Sequence, residues 1–262
     1  MRALALHPDV LLVTSAIWQT NCAIVRSGEE CFVIDSPVLP AELDALAALL
    51  DQAGYPNPSG ALVTHGDWDH LLGRLAFDGL SLGCAEDTAA RIGAAPGEAQ
   101  RELRRFDEEH LIERARPLSL GALQPLPVPG RCELGERELE LHPARGHTDD
   151  GMAIWIAWAG VLVAGDYLST VEIPLLGGSL HDYLQTLERL RALVGQAAHV
   201  IPGHGPVLDR DRAERTIAED RDYLRALAER GEAAELPAGR RNRAQRAQHT
   251  RNVTRIGQRD QP

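Results

Sequence analysis

The first third of the chain alternates short apolar runs with polar turns. Residues 10–14, 22–25 and 31–35 are such runs, and each predicts a strand. Over residues 40–53 the period changes. Leu43, Leu46, Leu49 and Leu50 recur at helical spacing behind a proline suited to a first turn, and Gly54 stops the pattern. Strands are expected at 61–64, ending at His65, and at 80–84. Residues 86–114 predict charged helix broken at Gly93 and at Pro96-Gly97, and 117–130, rich in Pro and Leu without a period, predict a connection.

The second half opens with two hairpins. Residues 132–134 and 138–141 flank Gly135, and 152–158 and 161–164 flank Ala159-Gly160. Leu180, Leu184, Leu187, Leu190 and Val194 mark an amphipathic helix. A short strand at 199–201 and a charged helix over 211–230 follow. This order predicts a single α/β domain with mixed sheets, spanning residues 1–238. Residues 239–262 carry seven arginines and one acid and predict a basic C-terminal helix or tail. Such a segment is expected to dock on acidic surface of its own chain or of a second copy, with Val253 and Ile256 as an apolar anchor, and to loosen with salt. A homodimer is therefore left open.

Composition narrows the function classes. The chain has 262 residues, 44% hydrophobic and 25% charged, as a globular domain with a sizeable core requires. Its formal charge of −11 argues against a general nucleic-acid binder, which needs a basic footprint. No apolar stretch approaches the roughly 20 residues of a spanning helix. His7, Pro8 and Asp9 interrupt any signal-like apolar core, so no membrane association and a cytoplasmic location are expected. Cys22, Cys31, Cys84 and Cys132 are scattered and read as reduced, small apolar side chains rather than as a disulfide framework.

The informative stretch is Thr64-His65-Gly66-Asp67-Trp68-Asp69-His70, with four ligand-type side chains directly after a buried strand. His and Asp together suit zinc, iron or manganese. Three more ligand-type residues stand at the ends of short apolar strands, each beside a glycine: His147 after Gly146, Asp166 after Gly165 and His204 between Gly203 and Gly205. One alone would only cap a turn. The four elements together are hard to explain without a shared site.

Motif order and context resemble the metallo-β-lactamase superfamily, whose pattern is T-H-x-H-x-D-H, then G-H-T, G-D and G-H, over roughly residues 10–210. The resemblance implies an αββα sandwich of two mixed sheets flanked by helices, with two divalent metals at one edge. Zinc is the first expectation, and iron or manganese the alternatives. It also implies that His65 and His147 hold the first metal, that Asp69, His70 and His204 hold the second, and that Asp166 bridges them. Asp35 would support the site from behind rather than bind metal. Tyr167 either donates its phenol to a developing oxyanion or packs as a satisfied core residue. Asp149 and Asp150 read as loop, Trp68 as pocket wall or packing, and His249 as exposed.

The departure from the family pattern is Asp67, where the second His is usual. A third carboxylate removes one unit of positive charge from the site, which raises the pKa of bound water and shifts preference toward manganese or iron. On charge alone, Asp67→His would recreate the usual site.

The implied function is a metallohydrolase. A metal-bound hydroxide, oriented by Asp69, would attack an ester, thioester, lactone or similar bond of a small-molecule substrate. The alternatives are an iron-dependent oxygenase or oxidoreductase of the same fold, and a ligand-sensing protein with a degenerate metal site.

Overall fold

The computed structural model describes residues 1–259. The chain runs β1 (Arg2–His7), β2 (Val10–Thr14), β3 (Asn21–Ser27), β4 (Glu30–Ile34), α1 (Pro40–Gln52), β5 (Gly60–Leu62), α2 (Gly73–Ala76), β6 (Leu82–Ala85), α3 (Glu86–Ala94), α4 (Glu98–His110) and β7 (Leu123–Leu126). The second half adds β8 (Gly130–Leu134), β9 (Arg137–Pro143), β10 (Met152–Ile156), β11 (Val161–Gly165), α5 (Leu180–Val194), β12 (His199–Pro202), α6 (Arg210–Arg230) and α7 (Arg243–Arg259). No described helix is long and apolar enough to cross a membrane.

Two mixed sheets form. One has seven strands in chain order, antiparallel from β1 to β4 and parallel from β4 to β7. The other has five in the order β12-β11-β10-β9-β8, with only the β11–β12 pair parallel.

The inner strands of both sheets are covered on both faces, which explains why 10–14 and 152–156 read as unbroken apolar runs. In β2, Val10 and Leu12 face the other sheet, where they meet Leu141, Met152 and Ile154. Leu11 and Val13 face outward onto Leu43, Leu46 and Leu50 of α1. Across the sandwich, Ala153 and Trp155 of β10 face outward onto Leu187 and Leu190 of α5 and Ile217 and Leu224 of α6. The layers are helix, sheet, sheet, helix.

Two strands lie outside the expected set. β1 is an exposed edge strand, and β7 lies inside the segment expected to be a connection. β7 carries Pro125, which breaks a strand pattern in sequence but is tolerated at a sheet edge, where an N–H would go unpaired.

The Arg-rich end is folded onto the domain rather than loosely attached, although residues 260–262 of that segment lie outside the described residues. Arg240 is 1% exposed. Its Nη1 donates to Asp220 Oδ1 (2.6 Å) and to the carbonyls of Ser169 and Glu172 (2.9 Å each), and its Nη2 donates to Glu219 (3.1 Å). Asn252, also buried, donates to the Pro174 carbonyl (2.7 Å) and accepts from the Leu176 N–H (3.1 Å). Val253 and Ile256 pack on the α5–α6 layer as expected.

A buried guanidinium and buried amides make this contact, so salt should not release it, contrary to the surface-charge expectation. Arg240→Ala leaves Asp220 buried without its partner, and a loss of about 3–5 kcal/mol is expected in denaturant unfolding. The wild-type segment should resist limited proteolysis near residue 239 even at about 1 M salt. Cleavage that grows with salt would restore the surface-charge account.

Candidate metal centre

Each ligand-type residue sits where a strand stops. β5 ends two residues before Thr64, and a single 3-10 turn, Trp68–His70, folds the following loop back so that Asp69 and His70 point the same way as His65. His147, Asp166 and His204 follow β9, β11 and β12 of the other sheet. The loops are tied together by backbone hydrogen bonds: Met152 N–H to Thr64 O (2.7 Å), Gly203 N–H to Gly165 O (2.6 Å) and Asn21 N–H to Gly203 O (2.8 Å). The Asn21 amide also donates to the carbonyls of Pro202 and Gly205, 2.8 Å each, and fastens the His204 loop to the opposite sheet. Gly203 is required here, since a Cβ would collide with Asp166 Oδ1. Gly146 has φ +122°, and a side chain there would strike the backbone of Tyr183.

The structure brings all seven predicted ligands together. His65, Asp67 and His147 form one group and Asp69, His70 and His204 a second, with potential ligand atoms within 4.8 Å of one another in each. Asp166 stands between them. Its Oδ2 is 3.2 Å from His147 Nε2 and 3.4 Å from His204 Nε2, and its Oδ1 is 3.2 Å from His70 Nε2.

The donor set fits divalent metal. Nε2 of His65, Nε2 of His70 and Oδ1 of Asp166 are buried without a hydrogen-bond partner and converge on the same space. Orphaned buried polar atoms are costly, and a cation bound among them would satisfy them.

Behind the cluster, Asp35 plays the supporting part expected of it. Its carboxylate accepts from Thr64 N–H (2.8 Å) and Thr64 Oγ1 (2.9 Å) and lies 3.0 Å from His70 Nδ1. Its backbone is left-handed, φ +58°, a conformation Asp tolerates better than most residues. Tyr167 is 3% exposed, and its phenol oxygen accepts the backbone N–H of His147 (2.9 Å). It holds His147 from behind, a place from which it does not present a donor to the open cavity, so the oxyanion role gives way to a positioning one.

Sequence reasoning did not single out Arg91. Its Nη2 is 2.6 Å from Asp67 Oδ1, and its Nη1 is 2.8 Å from Oδ1 of Asp150. Asp150, read as mere loop, is 2% exposed and also accepts the Gly66 N–H (3.0 Å). Trp18 was missed too. It packs edge-on against Trp68 and tilted on Phe106 of α4, and it is Trp18 that lines the open cavity while Trp68 serves as packing. His249 is half-buried against Tyr223, 3.0 Å from its hydroxyl, rather than exposed.

A two-sheet sandwich with a bipartite His/Asp cluster at the strand ends of both sheets defines a class of metal-binding proteins. The superfamily profile described as metallo-beta-lactamase superfamily matches residues 16–205, and the chain belongs to that superfamily, whose members are mostly metal-dependent hydrolases.

Among known proteins, the chain is similar to a beta-lactamase-like protein 2 homolog from Caenorhabditis elegans, 29% identical over 104 residues, or 37% of this chain. It is also similar to metallo-beta-lactamase type 2 from Bacillus cereus, 27% identical over 90 residues, or 32% of this chain. These matches span about a third of each relative's own length, 34% and 35%. Among solved structures, a metallo-beta-lactamase family protein from Thermus thermophilus superimposes with a TM-score of 0.69 at 23% identity, covering 97% of this chain and 95% of that one. TTHA1623 in a di-iron-bound form superimposes at 0.60 with 25% identity, covering 78% and 97%.

The protonation pattern predicts how metal loading depends on pH. Burial opposes the charge on Asp166, yet His204, His70, His147 and His65 hold its carboxyl well below the usual carboxylate range. Burial likewise disfavours the charged form of His204, but Asp166 leads the groups that raise it to about 10. His70 and His147 are raised for the same reason.

In metal-free protein these raised imidazoles contribute their full stabilisation below the ordinary value of about 6.5 and lose it as pH climbs through the folded-state values. Thermal stability of metal-free protein should therefore decline over that interval. Metal affinity should rise over it, because each ligating imidazole must first lose its proton. Calorimetric titration of zinc or manganese in buffers of differing ionisation enthalpy should detect proton release. Affinity that is flat or falling from about pH 6 to about pH 8 would contradict this protonation pattern.

Proposed function

We propose that the protein is a binuclear metal-dependent hydrolase acting on an ester, thioester, lactone or similar bond of a small molecule. The observation that carries this reading is that the metal-ligand cluster reaches an open cavity through two of its side chains. The cavity, about 420 Å³, is lined at its base by His147 and Asp166. Its walls include Trp18, Leu168 and Ile173 on the apolar side, and Gln245, Gln248 and Arg251 of α7 on the polar side. That size and mixture suit a small amphipathic molecule rather than a polymer.

Two divalent metals held by these residues would polarise the substrate oxygen and supply a water of lowered pKa. The chain's own residues do the rest. Asp69 presents Oδ2 to the cluster, 3.4 Å from His204 Nε2, and no hydrogen bond among the described residues engages its Oδ1. On this reading that oxygen would orient the attacking water and take its proton. Asp35 faces Nδ1 of His70, and Tyr167 holds the backbone from which His147 projects. Trp18 and the α7 wall limit the water around the reacting bond.

Asp69→Asn keeps a ligand oxygen but removes the proton acceptor. Against a panel of aryl esters, thioesters and lactones, kcat should fall by about 10²-fold or more with KM little changed. Wild-type protein that carries two metals yet turns over none of the panel would remove the ester-type reading.

A second reading rests on the carboxylate-rich donor set, with Asp67 in place of His, and on the similarity to a protein described in a di-iron-bound form. Iron-dependent oxygen chemistry is supported if protein purified without added metal carries iron and consumes dioxygen with a reductant. Hydrolysis that persists with zinc in the site favours the first reading.

A further inference from the structure

The third carboxylate at position 67 poses a physical problem. A short aspartate in place of an imidazole adds a negative charge, and its side chain, 30% exposed, could rotate toward solvent or present both oxygens to one metal. We propose that Arg91 of α3 is the positioning residue that lets an aspartate serve as a metal ligand at this place. It grips one oxygen of Asp67, offsets the added charge, and is itself anchored by Asp150.

The geometry divides the Asp67 carboxylate cleanly. Oδ2 faces the first metal group, 3.4 Å from His65 Nε2 and 3.3 Å from His147 Nε2. Oδ1 faces away from it and is taken by Arg91 at 2.6 Å. With Oδ1 held by a planar, permanently charged guanidinium, only Oδ2 is free to ligate, and its direction is fixed.

Arg91 uses a second nitrogen for Asp150, which is buried and in turn accepts the N–H of Gly66. One guanidinium therefore joins the loop after β5, which carries His65 and Asp67, to the loop after β9, which carries His147 and Asp150. These are the two loops that furnish the first metal group, and they come from different sheets. A lysine reaches one carboxylate but lacks the fork needed to span both.

This coupling reverses the expectation drawn from charge alone. Asp67→His by itself would set an unpartnered guanidinium beside an imidazole and a divalent cation. It should weaken the first site instead of recreating the usual family site. Position 67 and position 91 work as a pair: Asp with Arg, or His with a neutral residue.

The inference rests on the metal centre and not on the reaction, so metal binding tests it whether or not a substrate is known. Zinc is titrated into metal-stripped, full-length protein against a chromophoric chelator for wild type, Arg91→Gln, Arg91→Lys, Asp67→His and the double variant Asp67→His/Arg91→Gln. Thermal melts of the metal-free forms check folding.

Wild type should bind two zinc ions. Arg91→Gln, Arg91→Lys and Asp67→His should each weaken one site about ten- to a hundredfold and leave the other near its wild-type affinity. The double variant should recover tight binding at both. Folded Arg91→Gln or Arg91→Lys protein with both affinities within twofold of wild type would overturn the proposal. So would Asp67→His binding two zinc ions as tightly as the double variant, a comparison that stands even if both Arg91 single variants fail to fold. Failure of wild type to bind two ions would instead count against the binuclear centre itself.

Discussion

Four imidazoles and three carboxylates share one end of the sandwich, with heavy-atom separations of 3.2–3.8 Å around Asp166. Such a cluster is unfavourable to assemble unless its charges alternate and its members are held from behind. Each neighbouring feature answers that constraint. Asp35 braces His70 and Thr64, Tyr167 braces His147, and Asn21 locks the His204 loop to the opposite sheet. Gly203 leaves room for the Asp166 carboxylate. The ends of two sheets must meet for the cluster to exist at all, and the apolar faces that the two sheets turn toward each other set that meeting.

Much of this was legible in the chain. Ligand-type residues beside glycines at strand ends are a strong signal because few structural needs place His or Asp there repeatedly. The αββα layering followed from the family motif and agrees with the two mixed sheets observed. What sequence could not show were contacts without local periodicity. Arg91 is the only basic residue of α3, but nothing in its sequence neighbourhood points to the site, and only its distance to Asp67 and Asp150 sets it apart. β7 was hidden by Pro125. Tyr167 was adjacent to Asp166 in sequence, yet adjacency gives no direction, and its hydroxyl turns toward the His147 backbone. In the Arg-rich end the expected docking on acidic side chains of the same chain is present, but it is made with Asp220 and Glu219 by a buried arginine, Arg240, a burial that a run of arginines does not reveal.

The site and the C-terminal helix are physically connected. Arg240 binds the carbonyls of Ser169 and Glu172, and the same segment, continuing from Asp166, lines the cavity together with Gln248 and with Gln245, whose amide donates to the Val171 carbonyl. The cavity wall and the docking of α7 are thus set by one set of contacts, while the metal cluster is set by another. A fold of this kind hosts many reactions because the wall can vary with little change to the cluster.

The central claim is that seven side chains hold two metals, with Asp67 among them through a single oxygen. Anomalous diffraction from metal-soaked crystals tests it most directly. The account predicts two ions, one on His65, Asp67 Oδ2 and His147, the other on Asp69, His70 and His204, with Asp166 shared and Asp67 Oδ1 still on Arg91. A single ion on Asp69, His70 and His204, with Asp67 turned fully onto Arg91 and the first group empty, would contradict it.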